Sequence, residues 1–505
     1  MAFFADDCAA VSAAVRASPR QGLLALAMGA AVLKTPADVL QFWFGRAFYA
    51  SAEAPFLSGY RNYVEEDRFP KWFQQKDALF DAAQVGSGAL VAAVASGAVD
   101  ADIAWRGPRG ALAKLIVLDR FARVAGRGTA AAYSHGAAAA ELATSMTRYG
   151  VGGESAWFDE CLSPLERFFV VVALSRAEDE DSSLRHSELA GDVCAGSMDD
   201  DLDDFFRKLP GFPHERRQCI RRFGRFPGRN AILGRASTRQ EVDWLRNCPR
   251  WARQPEACAL LDCGGRGLAH PARYVLALGM RAFVDVGVPD RAAFLWLRDA
   301  RALPFDQLPI LVPWAAGERC TLDAVAARAA ADPSAVIAES GAMIRHAARL
   351  THLDGRDAAE RAAADMVACA VADARRPLAA ACFAAQPRQA LNAFAAGPLA
   401  ALARRLERLL ARGAAAAFVA GGAQPTYADA VVVELLDSAA DKCGGAAALE
   451  ARIAAPLLTA LWARLSALAP VRRYRASPGA APPPDDDAVR QVCETLELPL
   501  PPYLA

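Results

Sequence analysis

Alanine recurs in runs along the whole chain, as at 137–140 and 414–417, and alanine is the strongest helix former. A chain built this way is mainly α. Strand-like runs are few; the clearest, Leu308-Pro309-Ile310-Leu311-Val312, is followed by Pro313 and Gly317 and marks one α/β segment in an otherwise helical chain. Over 505 residues, at roughly 150 residues per domain, this pattern predicts about three domains rather than one core. Turn-rich clusters at Asn247-Cys248-Pro249-Arg250 through Gln254-Pro255, and at 477–487, place the joints. The expected organisation is an N-terminal extension over 1–35, a helical domain over 36–250, an α/β lobe over 257–352, an all-helical domain over 353–478 and a Pro/Asp-rich tail over 479–505.

Lys plus Arg and Asp plus Glu both number 57, so the chain lacks the long-range field of a general nucleic-acid or anionic-membrane binder. Neither partner is expected. Twelve cysteines without a CxxC spacing suit a reducing compartment and argue against a zinc ribbon, so no metal is expected either. The most apolar windows, such as 22–33, are shorter than the roughly 18 residues of a membrane span. Asp6 and Asp7 occupy what would be the basic region of a leader. The expected location is the cytoplasm.

Five arginines, Arg221, Arg222, Arg225, Arg229 and Arg235, are interleaved with Phe223 and Phe226, and Thr238-Arg239-Gln240-Glu241 follows with the spacing of a capping box. Two readings stand. Arg222, Arg225 and Arg229 form a candidate anion site, since guanidinium forks bind phosphate or carboxylate bidentately; or the arginines pair with Asp119, Glu166, Glu178 and Asp179 inside a helical array. Together with Val39-Leu40-Gln41-Phe42-Trp43-Phe44-Gly45, Lys71-Trp72-Phe73 and Leu118-Asp119-Arg120-Phe121, the run resembles the all-α, tetratricopeptide-like family described as domain of unknown function 924. The resemblance covers nearly all of 36–250 and implies no reaction. The chain departs from that family's usual Gln and Arg-Asn at Arg120 and Arg123-Val124.

The second half carries Arg266-Gly267-Leu268-Ala269-His270-Pro271-Ala272-Arg273, then Pro304-Phe305-Asp306-Gln307-Leu308-Pro309-Ile310-Leu311, Glu339-Ser340-Gly341-Ala342-Met343-Ile344-Arg345 and Thr426-Tyr427-Ala428-Asp429. In this order they resemble cytosolic glutathione transferases, closest to the sigma class. The resemblance implies a thioredoxin-like α/β lobe, with extra chain near 316–336, followed by the all-helical transferase domain. It also implies glutathione as ligand, a small electrophile as second substrate, and a homodimer. By resemblance, Gln307, Leu308 and Pro309 offer backbone to the tripeptide as an added strand. Glu339 takes the γ-glutamyl ammonium, and Ser340 receives the carboxylate at a helix N-terminus. Trp296 is either a contact to the glycyl end or a core indole; Asp373 either reaches the partner subunit's ligand or is an exposed helix charge. Thr426 and Asp429 form a capping box that starts the helical domain and have no catalytic role.

Such enzymes ionise the glutathione thiol by donating a hydrogen bond to it. The position of the usual tyrosine holds Asp262, and the usual second arginine and the lysine after Trp296 are Leu268 and Ala300. A carboxylate beside the sulfur raises the thiol pKa, against conjugation. Shifted by one residue, Cys263 takes the catalytic position, where a helix N-terminus lowers a thiol pKa; as a buried Cys it would be inert. Three functions remain open: a transferase, a binding and dimerisation module without turnover, and a cysteine-type thiol–disulfide exchanger.

Overall fold

The computed structural model describes residues 26–28, 32–45, 69–73, 77–148, 158, 161–195, 212–245, 247–252, 256–263, 267–412, 418–477, 486–496 and 500. Most of the expected extension and tail, Arg266 and the alanine run at 414–417 lie outside the described residues. The chain divides into two compact units. One gathers residues 1–13, 29–76 and 83–255, and the other residues 14–28, 77–82 and 256–505. No single described helix is long and apolar enough to cross a membrane.

The N-terminal unit is helical because its segments open with strong caps and bury one apolar face. Helix α1 (Pro36–Phe44) starts at Thr35, whose Oγ1 accepts from the Asp38 amide at 3.1 Å while Asp38 accepts from the Thr35 amide at 2.9 Å. Proline follows at the first helical position, where its missing N–H costs nothing. Helix α2 (Pro108–Ile116) runs through a π-helical turn at Val117–Phe121 into Ala122–Ala125. Then come α3 (Gly136–Thr147), α4 (Pro164–Leu174), α5 (Glu180–Ala195), α6 (Phe212–Phe223) and α7 (Arg239–Leu245). Consecutive helices α3 with α4, α4 with α5, and α5 with α6 pack on one another, and α2 lies against α1, α3 and α4. Trp43 and Phe44 of α1 meet Phe169 of α4 edge-on, both at 5.4 Å between ring centroids. Such aromatic pairs bury much area and fix an angle between helices.

The C-terminal unit opens with β1 (Glu256–Asp262), α8 (His270–Leu278), β2 (Phe283–Gly287), α9 (Arg291–Asp299), β3 (Ile310–Ala315), α10 (Leu322–Ala331), β4 (Ile337–Ala338) and α11 (Ser340–Thr351). The sheet order is β2-β1-β3-β4: β1 pairs parallel with β2 (Leu260 opposite Asp285), and antiparallel with β3 (Leu260 opposite Leu311), which pairs antiparallel with β4. Six of the seven β1 residues are buried, as expected for a central strand covered on both faces. The extra chain near 316–336 folds as α10. Thr321 caps it by accepting from the Ala324 amide at 3.3 Å, and Arg328 lies 3.9 Å over the Trp314 ring of β3.

Among the helices that follow in this unit are α12 (Ala358–Cys382), α13 (Ala400–Leu410), α14 (Tyr427–Lys442), α15 (Pro456–Ser466) and α16 (Ala469–Arg475). Helix α14 is buried along almost its whole length and packs against α8, α12 and α15. It joins the sheet-bearing part to the helical part. Its start is fixed by Asp429, fully buried, which accepts from the Thr426 amide (2.8 Å), the Thr426 hydroxyl (3.0 Å) and the Val419 amide (2.9 Å).

Candidate functional site

Gln307 and Leu308 precede Ile310, the first paired residue of β3. Gln307 is exposed, Leu308 half-buried and Pro309 buried, and the Leu308–Pro309 bond is cis. At the same end of the sheet, where Ala338 pairs with Ile310, β4 leads directly into α11. The joint residue, Glu339, is exposed and has φ 66° and ψ 118°. That backbone conformation costs a non-glycine residue of order 1–3 kcal/mol and is found where function holds a residue in place. Glu339 makes no side-chain cap to α11, so the first amides of that helix remain without a side-chain acceptor.

Ser340 and Gly341 line a cleft of about 80 Å³ bounded by the N-terminal ends of α8 and α11, by α12 and by Tyr427 of α14. Leu268, Arg345, Asp365 and Cys369 share this lining. Arg345 Nε donates to Asp365 Oδ1 at 2.7 Å, and the Tyr427 hydroxyl donates to the same oxygen at 2.9 Å. The Arg345 bond holds the Asp365 carboxyl below its ordinary range, and burial pushes the Tyr427 phenol up. Sequence reasoning gave these three side chains no role, because their partnerships span 20 and 62 residues of chain.

Asp262 ends β1 in a buried position. Its Oδ1 accepts from the Cys263 amide at 2.9 Å, and its Oδ2 lies 3.4 Å from Arg273 Nη2. Burial pushes the carboxyl up to about 6 against the pull of Arg273. The structure thus gives Asp262 a cation as partner. Cys263 is buried, and burial, reinforced by Asp262, pushes its thiol up to about 12. The lowered pKa expected for a thiolate nucleophile is reversed here by desolvation.

Trp296 is 42% exposed on α9, which departs from a core indole. Asp373 lies exposed on α12, 3.5 Å from Arg376 one turn on. Thus Ser340 alone among the predicted ligand residues lines the cleft, while Trp296, Gln307, Glu339 and Asp373 lie outside it. A larger cleft, about 420 Å³, is lined by Tyr274, Asp437, Glu450, Trp462 and Arg475 and contains none of the predicted residues. Among the described residues no group of three His, Cys, Asp or Glu side chains is placed to hold a metal ion.

The arginine run divides. Arg225 forks onto Glu241, Nε to Oε1 at 2.7 Å and Nη2 to Oε2 at 2.9 Å, while Glu241 also accepts from the Thr238 amide at 2.7 Å to close the cap of α7. Arg222 is exposed, 4.9 Å over the Phe223 ring. Arg229 alone of the predicted anion trio lies deep, donating to the Arg176 carbonyl at 2.9 Å, with Glu178 at 3.7 Å. The grouping of Arg222, Arg225 and Arg229 as one anion site is therefore corrected, because Glu241 already neutralises the middle member.

Residues 39–248 match the family described as bacterial protein of unknown function (DUF924), and residues 372–478 match the glutathione S-transferase C-terminal domain. Similar solved structures include a Pi-class glutathione S-transferase from Onchocerca volvulus, 22% identical over 43% of this chain and 91% of that one, with a TM-score of 0.34. A glutathione S-transferase from Ascaris lumbricoides is 20% identical over 45% and 98%, with a TM-score of 0.35. A protein of unknown function from Agrobacterium tumefaciens is 26% identical over 42% and 97%, with a TM-score of 0.30. No curated protein matches the chain.

Proposed function

We propose that this chain, which joins a DUF924 segment to a glutathione S-transferase C-terminal domain, binds glutathione with residues 257–478. The observation that carries the reading is the start of α11, where Glu339 spends backbone energy at φ 66° and leaves the helix N-terminus without a side-chain cap, next to Ser340 in the cleft. Amides without an acceptor at a helix N-terminus favour a carboxylate. In this reading the γ-glutamyl carboxylate takes Ser340 and the amides, Glu339 takes the ammonium, and the peptide extends along Gln307, Leu308 and Pro309 toward Trp296.

The β-α-β-α-β-β-α order, with α10 inserted between β3 and β4, supports a thioredoxin-like lobe. The successive packing of α3 to α6 supports a tetratricopeptide-like N-terminal unit. A homodimer goes with the glutathione S-transferase reading, and in it the exposed Asp373 would reach the partner's ligand; the cysteine usage supports a cytoplasmic location.

The module binds glutathione without ionising it through Asp262 or Cys263, since the first is held by Arg273 and the second carries a thiol pushed up to about 12. Retention on glutathione-agarose, together with a chlorodinitrobenzene assay, tests this. Retention without turnover is expected; retention with turnover would replace the module by a transferase of small electrophiles, and no retention would remove glutathione from the account.

A further inference from the structure

One largely buried cluster of the N-terminal unit holds more cations than carboxylates. Asp119, itself buried, is contacted by Arg176 and lies 3.5 Å from Arg123 Nη2 and 3.4 Å from Arg120 Nε. Arg229 and Arg235 share Glu178. Among these described residues, five guanidiniums divide two carboxylates. Arg120 lies deepest, with 8% of its side chain exposed, and packs over Trp43, Phe73 and Phe169 at 5.7, 5.0 and 5.3 Å from their centroids. Its Nε and Nη2 are buried without a hydrogen-bond acceptor, as is Nε of Arg123. Leaving such donors unmet is costly, and more so on a buried cation that shares its carboxylate with two others.

The backbone is shaped to gather these groups. Asp119 and Arg120 lie on the π-helical turn Val117–Phe121, a distortion found often at functional sites. A Cβ on Gly126 would lie 2.3 Å from the Ala132 amide nitrogen, so only glycine lets the turn Ala130–Tyr133 close up. That turn places Tyr133 between two cations: Arg123 lies 5.2 Å and Arg229 4.9 Å from its ring. Side-chain exposure grades from 24% at Arg123, through 14% at Arg176 and Arg229, to 8% at Arg120. Arg123 is thus the most accessible member of the cluster and Arg120 the least.

We propose that the N-terminal unit binds a small-molecule oxyanion, a phosphate or a carboxylate, in the pocket formed by Arg120, Arg123, Arg176 and Arg229. The oxygens take the unmet guanidinium N–H groups, and Tyr133 forms one wall. Guanidinium forks suit both anions. Burial lowers the Arg120 pKa well below that of a free arginine, and Arg176 and Arg229 fall to about 10; a bound anion reverses that pressure. The site is independent of the glutathione reading.

Calorimetric titration of the full-length chain with inorganic phosphate, and separately with succinate, at constant ionic strength tests it. Saturable one-to-one binding of at least one anion is expected, weakening as salt is raised. Whichever anion binds tighter identifies the source. Arg176→Met and Arg229→Met are each expected to weaken binding at least tenfold, while Arg222→Ala leaves it unchanged. No saturable heat from either anion in the wild type would overturn the proposal, as would equal affinity in the Met variants.

Discussion

Nη2 of Arg273 stands 3.4 Å from Oδ2 of Asp262, while Nε of the same guanidinium donates to Asp285 on the neighbouring strand at 2.7 Å. One buried cation thus ties the end of β1 and the middle of β2 to α8, and Asp262 becomes part of the lobe's internal wiring. Burial lifts its carboxyl from 3.8 to about 6, so the folded chain binds this proton more tightly than the unfolded chain. Between about pH 4 and 6 the native state carries the extra proton, and this group's contribution to stability falls as pH rises. Asp262→Asn cannot titrate. The urea midpoint of the wild type minus that of the variant is therefore expected to decrease from about pH 4.5 to 6.5. A flat or rising difference would show that Asp262 is not titrating as a buried group.

Glu339 separates stability from binding. Its φ of 66° strains glycine less than a residue with a Cβ, so Glu339→Gly is expected to stabilise the C-terminal unit by about 1 kcal/mol. The same change removes the carboxylate assigned to the ligand's ammonium. Higher urea midpoint with weaker retention on glutathione-agarose is the expected pair of results. A variant that loses stability, or that keeps full retention, would separate the strained backbone from ligand binding.

What was legible in the sequence was mostly local. Thr426 and Asp429 stand three residues apart, and the spacing alone specifies a cap because the helix brings those groups together; the same holds for Thr238 and Glu241. The strand Ile310–Ala315 was legible from its apolar run. Glu241 shows where local reading stops. Its role as cap was evident, but its second role, occupying the fork of Arg225 across 16 residues, depends on how the loop between them folds. Cys263 shows a second limit: its position before a helix suggested a low pKa, yet burial dominates the dipole, and burial is a property of the whole unit.

Asp429 anchors more than its own helix. Its Oδ2 serves the Thr426 amide and hydroxyl, and its Oδ1 serves the Val419 amide. Removing it costs about 1 kcal/mol of capping and leaves two backbone donors unmet, at about 1–3 kcal/mol each where buried. Relief of the carboxyl's own burial, which pushes it up to about 6, offsets part of this. Asp429→Ala is expected to lower unfolding free energy by about 2–4 kcal/mol in urea titrations, and Asp429→Asn by less, since one oxygen acceptor survives. Equal losses in the two variants would argue against the hydrogen bonds as the source.

Two cysteines of the C-terminal unit are placed to report on the site by contrast. Cys369 is exposed on α12 and lines the cleft with Ser340, whereas Cys263 is buried with its thiol pushed up to about 12. Alkylation requires the thiolate. At about pH 8, iodoacetamide is therefore expected to label Cys369 at least about tenfold faster than Cys263, as read by peptide mass spectrometry. S-methylglutathione, which has no free thiol to consume the reagent, should slow labelling of Cys369 in proportion to its occupancy and leave Cys263 as it was. Comparable rates at the two cysteines would contradict the buried environment of Cys263. Undiminished labelling of Cys369 at saturating S-methylglutathione would move the ligand away from the start of α11, and with it the role assigned to Ser340.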